Sequence, residues 1–221
     1  MGALYTLPVG AATIGWAAGC SRPGAAHQRS GMPCQDAYAL WSGAIAGMPY
    51  LVAAVADGHG DVRHDRSQFG AALAVQAAVE VAREFCLAHS QEETLIPLKN
   101  DFKTNFPRRV GQRWRKAVCD DAQARNEGRR FGDRAGLLHA DAQTQDNAIF
   151  TRYGTTLLIA VAVPGALLVG QIGDGALLWV TDNTCEVMLR PPSMLLGTET
   201  HSLCSQDAPQ LWQTAVFERA P

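Results

Sequence analysis

Between residues 155 and 189 the sequence holds four short apolar runs with too little chain between them for anything but tight turns. The runs are residues 155–163, 167–172, 176–180 and 185–189, linked by Pro164-Gly165, Gly173-Asp174-Gly175 and Asp182-Asn183. A parallel crossover needs a dozen or more residues, so these runs are expected to pair as an antiparallel meander. Runs at 37–41, 50–56 and 212–217 read as strands by the same criteria, and 5–17 as a first strand region.

The middle of the chain has a different period. From Phe69 onward, Val75, Val79, Ala82 and Cys86 recur at helical spacing, with Glu80, Arg83 and Glu84 off that stripe. A second helix is expected from near Asn105, with Pro107 in its first turn and a stripe of Phe106, Val110, Trp114, Ala117, Val118 and Ala122. Strands grouped on both sides of grouped helices predict an α+β fold in which helices cover a sheet face. No internal repeat or long linker interrupts the 221 residues, so one domain over 1–221 is expected.

Composition excludes several function classes. Apolar residues make up 47% and charged residues 18%, enough to bury a core and too apolar for wholesale disorder. Nineteen basic against 21 acidic residues leave a net charge of −2, so no nucleic-acid partner is expected from the overall field. The near-apolar stretch 155–168 is too short to span a bilayer as a helix. No Lys or Arg precedes Arg22, so the apolar residues ending in Ala18-Gly19-Cys20 lack the charged start of a lipoprotein signal. No membrane partner is expected, and the protein is expected to be a monomer. The six cysteines are scattered without a C-x-x-C pair, which argues against zinc and disulfides and for reduced thiols in a cytoplasmic protein. Residues 99–134 are locally basic, with eleven Lys or Arg against five Asp or Glu. That is either a docking face for an acidic partner or the solvated side of an amphipathic helix.

Chemistry concentrates in three segments. In Val52-Ala53-Ala54-Val55-Ala56-Asp57-Gly58-His59-Gly60-Asp61 an apolar strand delivers Asp57 to its end, and Gly58 leaves its carbonyl free to approach a cation. Hard divalent cations take such carboxylate and carbonyl oxygens, although a plain turn after a strand would explain D-G-H-G alone. In Pro33-Cys34-Gln35-Asp36-Ala37, Asp36 precedes a strand that could neighbour the one ending at Asp57 across the loop 43–49, bringing the two acids together. Gly154-Thr155-Thr156 opens a later strand, and Gly173-Asp174-Gly175 closes the next, where Asp174 by itself reads as a hairpin residue.

Taken in order, these blocks resemble the metal-dependent Ser/Thr protein phosphatases of type 2C, and most closely the bacterial branch whose first block reads P-C-Q-D-A. The resemblance covers about residues 15–190. It implies an α/β/β/α sandwich of two antiparallel sheets backed by helices, and a binuclear Mn²⁺ or Mg²⁺ site that activates water. Asp57 would be the carboxylate shared by both metals, Gly58 the carbonyl ligand, and Asp36 the acid at the metal–water shell, with Gln35 in place of the usual Glu. Asp174 would serve a third, weaker metal. His59 would be the general acid, working from a pKa close to the working pH. The implied partners are a phosphoprotein substrate and a cognate Ser/Thr kinase or its targets.

Two departures accompany the resemblance. Gly31 stands where the family places its phosphate-gripping arginine, with Arg22 and Arg29 nearby. The family's further aspartate blocks would follow a strand such as 212–217, so the chain is expected to be C-terminally incomplete and, as 221 residues, a poor enzyme. A catalytically impaired binding module and a docking domain using the basic 99–134 face are the alternatives.

Overall fold

The computed structural model describes residues 3–6, 16–45, 47–92, 94–125, 142–189 and 200–218. Its centre is a five-stranded, wholly antiparallel sheet in the order β3-β4-β5-β6-β9. β3 (Asp36–Ile45) and β4 (Met48–Asp57) form a hairpin, followed across the ladder by β5 (Leu157–Val163), β6 (Ala166–Ile172) and β9 (Gln213–Glu218). Along β4 the side chains alternate: Val52, Ala54 and Ala56 are buried, whereas Val55 is 50% exposed on the opposite face.

The buried face is covered by α2 (Ser67–Ala88), which packs on β3, β4 and β5. Ala71, Ala74, Ala77, Ala78 and Ala82 are all buried, and their small side chains let the helix axis approach the strands closely. Behind it α4 (Phe106–Ala124) packs on α2, with α3 (Leu95–Thr104) alongside. Phe85, Phe102 and Phe106 form a ring cluster with centroid separations of 4.6–5.7 Å. Trp114 is fully buried and donates from Nε1 to the Gly70 carbonyl at 3.0 Å, tying α4 to the first turn of α2.

The α+β class expected from the sequence is present, with antiparallel sheets flanked by helices. The meander is not continuous. β5 and β6 pair as expected, but the outer neighbour of β6 is β9, and β7 (Leu177–Val180) pairs with β8 (Cys185–Leu189) in a separate two-stranded sheet. Gly173, at φ 115°, turns the chain out of the ladder at the end of β6, so the following residues leave that edge open for β9. The expected first strand region is two short strands, β1 (Ala3–Thr6) and β2 (Trp16–Gly19), paired antiparallel, with residues 7–15 outside the described ones. Among the described residues four further α-helices carried no strong periodic signal: α1 (Ala25–Ser30), α3, α5 (Ala142–Arg152) and α6 (Ala208–Leu211). Among the described residues no helix is long and apolar enough to cross a membrane, and all six cysteines are free.

Candidate functional site

Asp36 begins β3 and Asp57 ends β4, and the antiparallel register sets them directly opposite each other. Burial raises the Asp57 pKa to about 6, reinforced by the charge and hydrogen bond of Asp36 and then by the charge of Asp174. The backbone beneath this acid pair is fixed by the G-T-T block. Asp57 N donates to Thr156 Oγ1 at 3.1 Å, while the Asp57 carbonyl accepts from Thr156 N and Thr155 Oγ1, both at 2.9 Å.

Gly58 is confined by backbone on both sides. A Cβ there would stand 2.8 Å from the carbonyl oxygens of Gln35 and Ser67, so no side chain fits. Its N–H donates to Gln35 O at 3.1 Å, and the ladder bonds on either side bypass its carbonyl, which has no partner among the described residues. Gln35, 6% exposed, donates to Ser67 Oγ at 2.7 Å. That bond packs the loop before β3 onto the start of α2.

Two clefts meet at this point, sharing Asp57, Thr156 and Asp174 as walls. One, of about 540 Å³, also holds Asp36, Arg22 and Val55. The other, of about 770 Å³, holds Gly58, His59, Arg63, His64 and His201. The structure therefore brings every sequence-predicted site residue to one pair of clefts: Asp36, Asp57, Gly58, His59 and Asp174. Asp174 lies at the exposed side, with Thr200 donating to it at 3.4 Å. Gly31, in the position of the family's arginine, caps α1 at φ 70°, a conformation that disfavours any side chain.

The expected pKa of His59 is corrected. Burial first, and the neighbouring His64 second, hold its imidazole down at about 4, so the ring is neutral at physiological pH. Residues that no sequence spacing marked complete the site. His64 sits 4.7 Å from His59, centroid to centroid, in a 3₁₀ turn capped by Asp61, which accepts from Arg63 N at 2.9 Å. The hydroxyl of Ser202 donates to Thr155 O at 3.1 Å and so closes the segment 200–205 over the G-T-T block. A cap signature of Asp61 before the turn was readable; the Ser202 contact spans 47 residues and was not.

Among the described residues no three His, Cys, Asp or Glu side chains are gathered into a closed metal cage. Asp36, Asp57 and the Gly58 carbonyl offer instead an open, all-oxygen set. Such a set fits Mn²⁺ or Mg²⁺, hard ions that keep several waters, and the neighbouring acid charge that raises the Asp57 pKa is the charge that a dication would offset.

Much of the basic stretch is occupied internally. Arg113 pairs with Glu80 and Glu84 at 2.7 and 2.6 Å, and Arg109 with Glu84 at 3.3 Å. Arg115 donates to Ser205 O at 2.7 Å and lies over the Phe150 ring. Residues 126–134 are outside the described ones.

A family model described as Protein phosphatase 2C matches residues 23–221. No curated protein matches the chain.

Proposed function

From the premise that the chain belongs to the protein phosphatase 2C family, we propose that it hydrolyses phosphoserine and phosphothreonine on proteins, with Mn²⁺ or Mg²⁺ as cofactor. The observation that carries this reading is the Asp36–Asp57 carboxyl pair, set face to face by strand register beside the unclaimed Gly58 carbonyl. Asp57, with its backbone held at three points, would hold both ions of a binuclear centre. Asp36 and Gly58 would complete the oxygen set, and Asp174 would hold a third ion weakly. Bound there, the ions supply charge to the phosphoryl oxygens and lower the pKa of water.

The chain's own groups do the rest. Thr155 and Thr156 keep Asp57 from relaxing away from its neighbour, so the site is preorganised at the cost of that repulsion. The reaction consumes one water: its oxygen ends on phosphorus, the P–O bond to the serine or threonine oxygen breaks, and that oxygen keeps the electron pair and takes a proton. His59, neutral and lining the larger cleft, would present an N–H to the departing oxygen. The substrate would be a phosphoprotein, such as the product of a cognate Ser/Thr kinase.

The open donor set favours a second reading, a family member that binds phosphoproteins without turning them over. Mn²⁺-dependent phosphate release from phosphoserine and phosphothreonine peptides separates the two. The phosphatase reading expects release that Asp57→Asn cuts to below about a tenth, since losing a shared ligand costs more than one log unit. Turnover that survives Asp57→Asn above that level would contradict it.

A further inference from the structure

Gly154 opens the G-T-T block, and its missing side chain has a specific use. A Cβ at Gly154 would overlap Nδ1 of His64 and approach Cδ2 of His59 to 2.8 Å. Both imidazoles therefore lean on one bare stretch of backbone. They meet edge to face, at 4.7 Å between centroids and 64° between planes, a geometry aromatic rings favour.

The two rings are anchored unequally. His64 Nδ1 bonds the Thr151 carbonyl. A carbonyl only accepts, so Nδ1 carries the proton and the tautomer of His64 is set. The turn bearing His64 is itself pinned at Asp61, which accepts from both the main-chain N–H and the Nε of Arg63 at 2.9 Å. His59 is fixed only through its main chain, whose N–H donates to Gly154 O at 3.2 Å. No hydrogen bond orients its ring among the described residues. What keeps the ring at the cleft wall is the face and edge of His64 on one side and the absent Gly154 side chain on the other.

We propose that His64 is the positioning residue for His59: it holds the His59 imidazole against Gly154, at the wall of the 770 Å³ cleft, in the orientation that delivers an N–H to the departing oxygen. The chemistry rests on the phosphatase reading; the ring pair does not. Small displacements of a reacting group cost about a hundredfold in rate when they break alignment, so a residue that touches no substrate still governs the step.

Steady-state kinetics of His64→Ala, His59→Ala and the double variant test this, with a phosphoserine peptide and p-nitrophenyl phosphate as substrates. The poor alkoxide leaving group needs the N–H; the acidic nitrophenol does not. His64→Ala should lower kcat for the peptide by about tenfold or more, with KM and p-nitrophenyl phosphate turnover changed less than about threefold. Adding His64→Ala to His59→Ala should cost nothing further. His64→Phe, which restores a ring, should recover part of the loss. Equal losses on both substrates, or losses that multiply in the double variant, would overturn the assignment. A parent without metal-dependent turnover would defeat the phosphatase reading instead, and NMR of the histidine rings then decides the pairing alone. His59 ring signals should shift in His64→Ala, and signals that hold their positions would overturn the ring pair.

Discussion

Phe85, Phe102, Phe106 and Trp114 are each fully buried, touch ring to ring or ring to helix, and carry one polar atom between them, which is satisfied. Asp36 and Asp57, at the end of the same sheet that α2 covers, are stabilised by none of that. Their strand ends are exposed, and the charge on Asp57 is unfavourable where it stands. The helical core lowers the free energy of the fold by excluding water from apolar surface. The acid pair raises it, and is tolerated because Thr155, Thr156 and the β3–β4 ladder over-determine the position of Asp57. One region is optimised for stability, and the other holds a strained arrangement ready for a cation.

The contrast predicts that damage to the two regions reads out differently. Trp114→Ala should have the largest effect, destabilising the fold by about 4 kcal/mol through the cavity and the lost Nε1 hydrogen bond to the Gly70 carbonyl. That corresponds to a fall in Tm of about 10 °C or more, with Mn²⁺ affinity of the folded protein little changed. A Trp114→Ala variant that lost metal affinity while keeping its Tm would break the distinction.

Thr156→Val should come next. It removes the hydroxyl that accepts from Asp57 N, costing about 1–2 kcal/mol in urea unfolding, and should weaken Mn²⁺ about tenfold by loosening the acid. Thr156→Ser, which keeps the hydroxyl, should restore both.

Asp57→Asn should do the reverse of Trp114→Ala in the chelated, metal-free protein: it should stabilise. Asp57 titrates at 3.8 in the unfolded chain and about 6 in the fold, so between those values the folded state holds the extra proton. Metal-free stability therefore falls as pH rises from about 4 to about 6 and is flat above, by about 1 kcal/mol after screening at this half-exposed position. Unfolding curves of the Asn variant should lack that fall, and a variant that kept it would remove Asp57 as the source.

The smallest effect is expected at the surface. Arg113→Ala breaks two ion pairs to Glu80 and Glu84, yet both partners are half-exposed, so the change in Tm should correspond to less than about 1 kcal/mol.

How far this arrangement was legible depended on sequence distance. The facing of Asp36 and Asp57 follows from a hairpin with a short loop, because antiparallel register is set locally. The helical stripes of α2 and α4 were visible because period 3.6 is written in consecutive residues. The neighbour of β6 was not, since the β6–β9 pairing reaches across the β7–β8 sheet and the segment after it. α5 was missed because Ala142–Arg152 is polar along most of its length. Site residues divide in the same way. Asp57 and Gly58 announce themselves at a strand end, whereas the pairing of His59 with His64, the neutral state of His59, and the burial of Gln35 against Ser67 arise only when α2 and the G-T-T strand close around the loop.

Calorimetric titration of Mn²⁺ into the parent, Asp36→Asn and Asp57→Asn proteins at neutral pH tests the central claim most directly, because it asks for the cation without asking for turnover. The parent should bind, Asp36→Asn should bind more weakly, and Asp57→Asn should lose about a hundredfold or more in affinity. Asp57→Asn binding Mn²⁺ as tightly as the parent would contradict the assignment of this strand end as the metal centre.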